Sequence, residues 1–389
     1  MRFWYKTGVT LKRFDKPQAL QHSRSTTWVR RCLKAMVLKT TAALISLGAL
    51  AGFICSKTLL PLPWMLGPLV ATALISILGW GNIPSSYQFP HRFRMLFIAV
   101  IGVMIGSQIT WKVIQHVPNI LPSLLGLIAF IGLALSVNFL IFRRLGRYDP
   151  ATAFFCSAPG GLLESIALGE TYGCDSRILT LQQFLRIIFV IILVPSGLSL
   201  WMGSPVGSAA GLALPGSDPS LFTTQNLLLT LVVGLIGLYL GRRLKLPAGQ
   251  LIGPALAAGL LNLSGYGSVQ LPNSLLVIAQ IIIGVSLGSR FVGFGYAALR
   301  RSASLGLLSA LAMLSLALSL SALLSLYTGL PFDVLLISFS PGGVTEMSLI
   351  ALSLQTSPAL ITVHHIFRIT ATVILITGVS RFSAVFKRP

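Results

Sequence analysis

Acidic residues are scarce in this sequence, which has 8 Asp and Glu against 29 Lys and Arg in 389 residues. Charged residues make up 10% of the chain and hydrophobic residues 54%, whereas about a quarter of a soluble domain is charged. Cysteine is also rare, and the four cysteines show neither metal-site nor redox-pair spacing. The low charged fraction and high hydrophobic fraction argue against a soluble enzyme.

Long apolar stretches are abundant instead, and the mean hydropathy is +0.85. Each stretch of about 20 residues is long enough to cross ~30 Å of hydrocarbon as a helix. The sequence therefore predicts an all-α polytopic integral membrane protein with no separate soluble domain. Twelve such segments fall near 38–56, 62–80, 93–111, 118–142, 150–168, 178–202, 225–243, 248–266, 274–291, 303–328, 332–352 and 359–380.

The net charge of +21 does not indicate a direct nucleic-acid partner. The basic residues are spread over short loops that flank the apolar segments, which is the positive-inside pattern. Only residues 1–37 form a concentrated basic region, which we interpret as a flexible tail. It either contacts anionic lipid headgroups or serves only to set the orientation of the chain.

The sequence contains an internal repeat. A Pro-Gly-Gly-x-x-Glu block at 159–164 recurs at 341–346, and a polar pair followed by an arginine recurs later in the chain at the same offset. The Leu-Pro and Gly-Pro steps within 60–68 recur within 246–254. We therefore divide the chain into a tail at 1–37, repeats at 38–203 and 225–383, a linker at 204–224 and a C-terminal tail at 384–389.

Charge bias favours an inverted arrangement of the two repeats. If all twelve segments crossed, Arg242, Arg243, Arg300 and Arg301 would lie outside, against the positive-inside rule. If each Pro-Gly-Gly segment is a re-entrant hairpin, each repeat crosses five times and these residues become cytoplasmic. We predict about ten transmembrane helices plus two re-entrant segments, with both termini cytoplasmic, in the inner (plasma) membrane.

The Pro-Gly-Gly blocks predict breaks in the helices at membrane depth. Proline removes a backbone donor, and glycine lets the backbone turn. Exposed backbone is tolerated at that depth only against protein or water. The positive ends of the helices that restart after Gly161 and Gly343 would point towards a bound anion.

Glu164 and Glu346 are equivalent acids in apolar segments. A charge at membrane depth costs at least ~2.5 kcal/mol, so each should face a cavity or a partner. They either bind a proton or cation, or satisfy the dipole of the first helical turn.

Arg186 and Arg368 each follow a polar pair by three and four residues, on the same helix face. They could hold a carboxylate or phosphate, snorkel to the membrane surface, or pair with Glu164 and Glu346. We expect the pairing. The predicted substrate site comprises Pro159, Gly160, Gly161, Glu164, Gln183, Arg186, Pro341, Gly342, Gly343, Glu346, His365 and Arg368.

Neither a metal nor a cofactor is expected. The adjacent His364 and His365 point about 100° apart on a helix, and the equivalent Gln182-Gln183 pair is a poor ligand set. A proton-sensing histidine is the better interpretation.

The paired Leu-Pro and Gly-Pro steps and the Pro-Gly-Gly-x-x-Glu blocks resemble the duplicated membrane AbrB family of bacteria, over about 38–383. The resemblance implies a role in regulating gene expression, and some members carry an ammonia monooxygenase label. No copper or iron ligand set supports that label. The chain does not resemble the small soluble DNA-binding protein that shares the AbrB name.

Two functions fit these observations, and neither is enzymatic. The first is secondary transport or export of a small anionic metabolite, because inverted repeats with broken helices are typical of transporters. The second is a membrane sensor that acts indirectly on gene expression. The expected partners are the lipid bilayer and a small-molecule or ion ligand, and a homo-oligomer is compatible with the sequence.

Overall fold

A computed structural model describes residues 17–80, 83–85, 87–111, 120–203, 224–244, 246, 248–265, 269, 271, 273–294, 296–354 and 356–382. The long regular elements are all α-helices. They are α1 Pro17–Cys55, α2 Pro63–Leu78, α3 His91–Gly106, α4 Leu121–Leu140, α5 Pro150–Ser157, α6 Leu162–Thr171, α7 Ser176–Met202, α8 Thr224–Arg243, α9 Gly249–Ser264, α10 Asn273–Gly288, α11 Tyr296–Thr328, α12 Phe332–Phe339, α13 Val344–Ser353 and α14 Pro358–Phe382.

The predicted tails and linker fall mostly beyond the described residues. Residues 1–16, 204–223 and 383–389 lie outside them. Helix α1 begins at Pro17, so the part of the basic tail at 17–37 is helical and continuous with the first apolar segment.

Six described helices are long and apolar enough to cross a membrane: Met36–Cys55, Leu121–Leu145, Ser176–Met202, Ser274–Phe291, Leu299–Thr328 and Pro358–Arg381. The span at Leu121–Leu145 includes a π-helical turn at Ile141–Leu145 that continues α4. Helices α2, α3 and α9 have 16 residues each, about 24 Å at 1.5 Å per residue. The described chain is therefore a helical protein of membrane type.

Helix boundaries recur along the chain at the same spacings as the sequence blocks. Helices α3, α5 and α6 are equal in length to α10, α12 and α13, and one constant offset relates both ends of each pair. Helices α2 and α9 are related in the same way, at a slightly larger offset. The apolar segments predicted at 150–168 and 332–352 are each divided into two short helices, because the Pro-Gly-Gly blocks interrupt them.

The helices pack in two groups. The first, here called the panel, comprises α1, α2, α3, α8, α9 and α10, and its main packing pairs are α3 with α9, α8 with α9 and α2 with α10. The second, here called the hairpin bundle, comprises α4 to α7 and α11 to α14. The groups meet mainly where α3 packs against α13 and α14.

Glycines allow the panel helices to cross with their backbones in contact. A Cβ atom at Gly102 or Gly106 of α3 would overlap the carbonyl oxygen of Leu251 or Ala255 on α9. Gly284 and Gly288 of α10 meet the carbonyls of α2 in the same way. The small-residue spacing thus marks two of the tight crossings of the panel.

We expect Gly106→Leu to destabilise the protein by about 1–3 kcal/mol or more, because the new side chain meets rigid backbone and the helices must separate. Thermal unfolding of the purified protein in detergent would measure the effect. Gly132→Ala is the matched control, since a Cβ there meets nothing within 4 Å and alanine favours a helix. Equal melting temperatures for the two variants would contradict this packing.

Candidate functional site

The first Pro-Gly-Gly block reverses the direction of the chain between α5 and α6. Gln183 on α7 donates from Nε2 to the carbonyl oxygen of Phe155 at 2.9 Å, and Arg186 donates from Nη1 to that of Ala158. Helix α5 therefore runs parallel to α7. Helix α6 runs the opposite way, because Gly169 packs against Leu179 across the short turn that leads into α7.

The two ends of this first hairpin lie together. The backbone N–H of Asp175, at the start of α7, donates to Oγ1 of Thr152, in the first turn of α5, at 3.0 Å. Between the two short helices, Gly161 adopts a left-handed conformation with φ 66°, which glycine reaches without steric cost.

The second block builds an equivalent hairpin from α12 and α13. On α14, Nε2 of His365 donates to the carbonyl oxygen of Ile337 at 3.1 Å. Arg368 donates to Ser340 through Nη1, and through Nη2 to Gly342 at 2.7 Å. Helix α12 is thus parallel to α14, whereas α13 is antiparallel to it, as the 2.8 Å contact between the hydroxyls of Ser348 and Thr362 shows.

The two arginines have a clear structural role in these hairpins. A helix end leaves its last carbonyls without partners, and the residues that carry these carbonyls at both breaks are buried away from solvent. A guanidinium supplies several donors and a positive charge, which also suits the negative end of a helix. Arg186 and Arg368 therefore stabilise the broken ends of α5 and α12.

The predicted pairing of these arginines with Glu164 and Glu346 is wrong. Both arginines bind carbonyls because the broken helices place unpartnered acceptors nearer than either acid. Glu346 instead pairs with Arg94 of α3, with 3.5 Å between Oε1 and Nη2. Glu164 is exposed and makes no ion pair among the described residues.

Arg186 and Arg368 form an excess of positive charge in the hairpin bundle. They are only 4% and 0% exposed, and the two guanidiniums are close enough to interact electrostatically. Within the described part of the chain, neither makes an ion pair with a carboxylate. Two buried cations in this situation produce a local potential that attracts an anion.

Several buried polar atoms around the two arginines have no partner in the described structure. They are Nε of both arginines, Oε1 of Gln183 and Nδ1 of His365. Since a buried polar atom without a partner costs roughly 1–3 kcal/mol, these atoms mark a place where a polar ligand would be stabilised. The structure thus gives four of the twelve predicted site residues a common environment.

Two buried hydroxyls, which the sequence did not single out, belong to the same region. Oγ of Ser338 and Oγ1 of Thr372 also have no partner among the described residues. Thr372 lies one helical turn after Arg368 and about 3.3 Å from where a Cβ of Gly160 would be. Thr372 could have been predicted from the sequence, because it lies four residues after Arg368 and therefore on the same face of the helix.

The two glutamates follow the hairpin breaks, and the breaks contain the remaining predicted site residues, the Pro-Gly-Gly blocks at 159–161 and 341–343. Glu164 and Glu346 lie in the first turns of α6 and α13, three residues after the N-caps Gly161 and Gly343, and neither N-cap has a side-chain cap. Among the described residues, no group of three His, Cys, Asp or Glu is placed to hold a metal ion.

Cys174 lies at the base of the first hairpin, outside the long apolar helices. Burial, with a smaller contribution from Asp149, raises the pKa of its thiol to about 11. We expect its alkylation by iodoacetamide, with the other cysteines replaced, to accelerate about tenfold per pH unit up to pH 10, because only the thiolate reacts. An alkylation rate that stops rising near pH 9 would show that the thiol has an ordinary pKa.

The chain is similar to known proteins over most of its length. A family model described as "Transition state regulatory protein AbrB" matches residues 83–384, which is most of the chain. The chain belongs to the AbrB family. The match includes both Pro-Gly-Gly hairpins and both buried arginines.

Curated relatives of the family cover the chain almost completely. One is "Putative regulator AbrB" of Escherichia coli (strain K12), 26% identical over 355 residues that span 90% of this chain and 96% of the relative. Another is "Uncharacterized protein YhjN" of Bacillus subtilis (strain 168), 22% identical over 346 residues, or 85% and 90% of the two chains.

Proposed function

We propose that this AbrB-family protein is a secondary transporter that exports or exchanges a small organic anion. The observation that carries the proposal is the pair of buried arginines, Arg186 and Arg368, which lie at two chain-reversing hairpins and have no carboxylate counter-ion among the described residues. Broken helices that meet within a bundle are the usual construction of a substrate site in secondary transporters.

The topology that fits this function is an inverted repeat of five crossings and one re-entrant hairpin. The recurring helix boundaries and the reciprocal pairs α2 with α10 and α3 with α9 support it. Helices α5 and α6 would enter from the cytoplasm, and α12 and α13 from the outside. Both termini would be cytoplasmic, and the membrane would be the inner (plasma) membrane.

The substrate would bind between the hairpin tips. Its negative charge would face the two guanidiniums and the N-termini of α6 and α13, where backbone N–H groups favour anions. Oε1 of Gln183 and Nδ1 of His365, which lack partners among the described residues, are acceptors and would accept from a hydroxyl or other donor group of the ligand. Glu164 and Glu346 would respond to a coupling proton or cation.

Proteoliposomes test this proposal. Purified protein would first be screened by thermal shift against phosphate and mono-, di- and tricarboxylates, and the stabilising anions would then be tested for uptake under imposed gradients of pH and sodium. We expect saturable uptake of at least one anion. Anion-dependent stabilisation without any uptake would contradict transport.

A second function, that of a membrane sensor, is favoured by the family description and by the name of the Escherichia coli relative. The same site would then bind its anion without moving it, and the signal would pass to a partner at the cytoplasmic loops. Stabilisation by an anion without uptake is the result that this function predicts.

A further inference from the structure

The two hairpins differ in how their equivalent glutamates are held. Glu346 is buried and pairs with Arg94 at 3.5 Å, whereas Glu164 is exposed and has no ion pair among the described residues. The position on α10 that is equivalent to Arg94 is Leu276, which is buried and cannot form an ion pair. The fold is thus nearly symmetric, but its charges are not.

The Arg94–Glu346 ion pair also connects the two groups of helices. Arg94 belongs to the panel through α3, and Glu346 belongs to the hairpin bundle through α13. Arg290, which follows α10 in the panel, acts electrostatically on both of them and lies over the ring of Phe184 on α7 at 5.0 Å. Two panel arginines therefore face the bundle where α3 meets the second hairpin.

Separating the partners of a largely buried ion pair is costly, because a buried charge is left without its counter-ion, so this pair would resist separation of the panel from the hairpin bundle. The described residues contain no matching pair that would resist separation on the side of Glu164. In the proposed topology, Arg94 lies at the cytoplasmic end of α3, and Leu276 lies near the outer end of α10.

We infer that the Arg94–Glu346 pair is a gate that closes the cytoplasmic face of the anion site in this structure, and that the outer face, on the side of the exposed Glu164, has no such gate among the described residues. This inference rests on the proposed alternation of access between the two faces. Opening the cytoplasmic face would require Glu346 to leave Arg94, which protonation or a bound cation would favour.

Glycine offers a way to disturb the gate without changing any charge. A Cβ atom at Gly343 would overlap Oε2 of Glu346, although the backbone there, with φ −75°, accepts alanine. Gly343→Ala would therefore displace the carboxylate from Arg94.

The test is the accessibility of a cysteine behind the gate. Thr345→Cys, at a buried position beside Glu346, would be placed in an otherwise Cys-free protein in liposomes and labelled with an impermeant methanethiosulfonate from the face on which α3 begins. We expect slow labelling with the gate intact. The rate should rise at least about tenfold with Arg94→Gln, Glu346→Gln or Gly343→Ala, and fall again in the charge swap Arg94→Glu with Glu346→Arg.

Arg92→Gln is the matched control, because it removes an exposed arginine two residues away on the same helix. Unchanged labelling in monodisperse Arg94→Gln and Gly343→Ala proteins would overturn the gate, even if the protein transports an anion. If the labelling rate rises in the single charge variants and falls in the charge swap, but the protein transports no anion, the gate is supported and the proposed transport is contradicted.

Discussion

Arg368→Leu is expected to destabilise the protein by about 2–6 kcal/mol, because it leaves the carbonyls of Ser340 and Gly342 without donors. Each buried acceptor without a partner costs roughly 1–3 kcal/mol, and the total stability of a domain is about 5–15 kcal/mol. Arg186→Leu should cost about half as much, since Arg186 binds the carbonyl of Ala158 alone.

Thermal unfolding in detergent would measure both arginine variants, together with the yield of monodisperse protein. Arg381→Leu is the control, because Arg381 is exposed near the end of the same helix as Arg368. If Arg368→Leu and the wild type had the same melting temperature, the guanidinium of Arg368 would not be what stabilises the break after α12.

Arg186→Gln is expected to lower anion uptake about 10- to 150-fold while leaving much of the folded protein intact. Glutamine keeps a polar amide at this buried position but removes a charge from the anion site. A hydrogen bond to a charged group contributes about 1.5–3 kcal/mol, and about 2.8 kcal/mol corresponds to a factor of about 100.

Arg186→Lys separates charge from geometry in the same experiment. Lysine keeps the positive charge but loses the planar fork of donors, so uptake should fall about tenfold and the fold should be retained. Normal uptake by a folded Arg186→Gln protein would place the substrate elsewhere. If the Arg186→Gln protein does not fold, Arg186→Lys is used instead, and its uptake and apparent affinity for the anion are measured.

Much of the fold can be predicted from the sequence because its causes are local. Proline and paired glycine interrupt a helix wherever they occur, so the breaks after Ser157 and Phe339 follow from the sequence. The recurrence of the motifs at nearly constant spacing anticipated the equal helix boundaries. The sequence predicts about ten crossings, whereas six of the described helices are long and apolar enough to cross a membrane. The number is smaller because several panel helices are short.

The contacts of the charged residues could not be predicted in the same way. The sequence shows that Arg368 needs a partner but does not show whether a carbonyl or an acid is nearer. Glu346 finds Arg94 only because α3 of one half packs on α13 of the other. Such a contact depends on how the two halves are placed, which no local pattern encodes.

The sidedness of the two hairpin bases tests the inverted arrangement, on which the transporter proposal depends. Thr171→Cys, at the end of α6, and Ser357→Cys, just before α14, would each be placed in a Cys-free protein and labelled with impermeant thiol reagents from either side of sealed vesicles. Inverted re-entrant hairpins predict labelling of Thr171→Cys from the cytoplasmic side and of Ser357→Cys from the outside. Labelling of both from the outside would show twelve crossings in parallel repeats and would contradict the account.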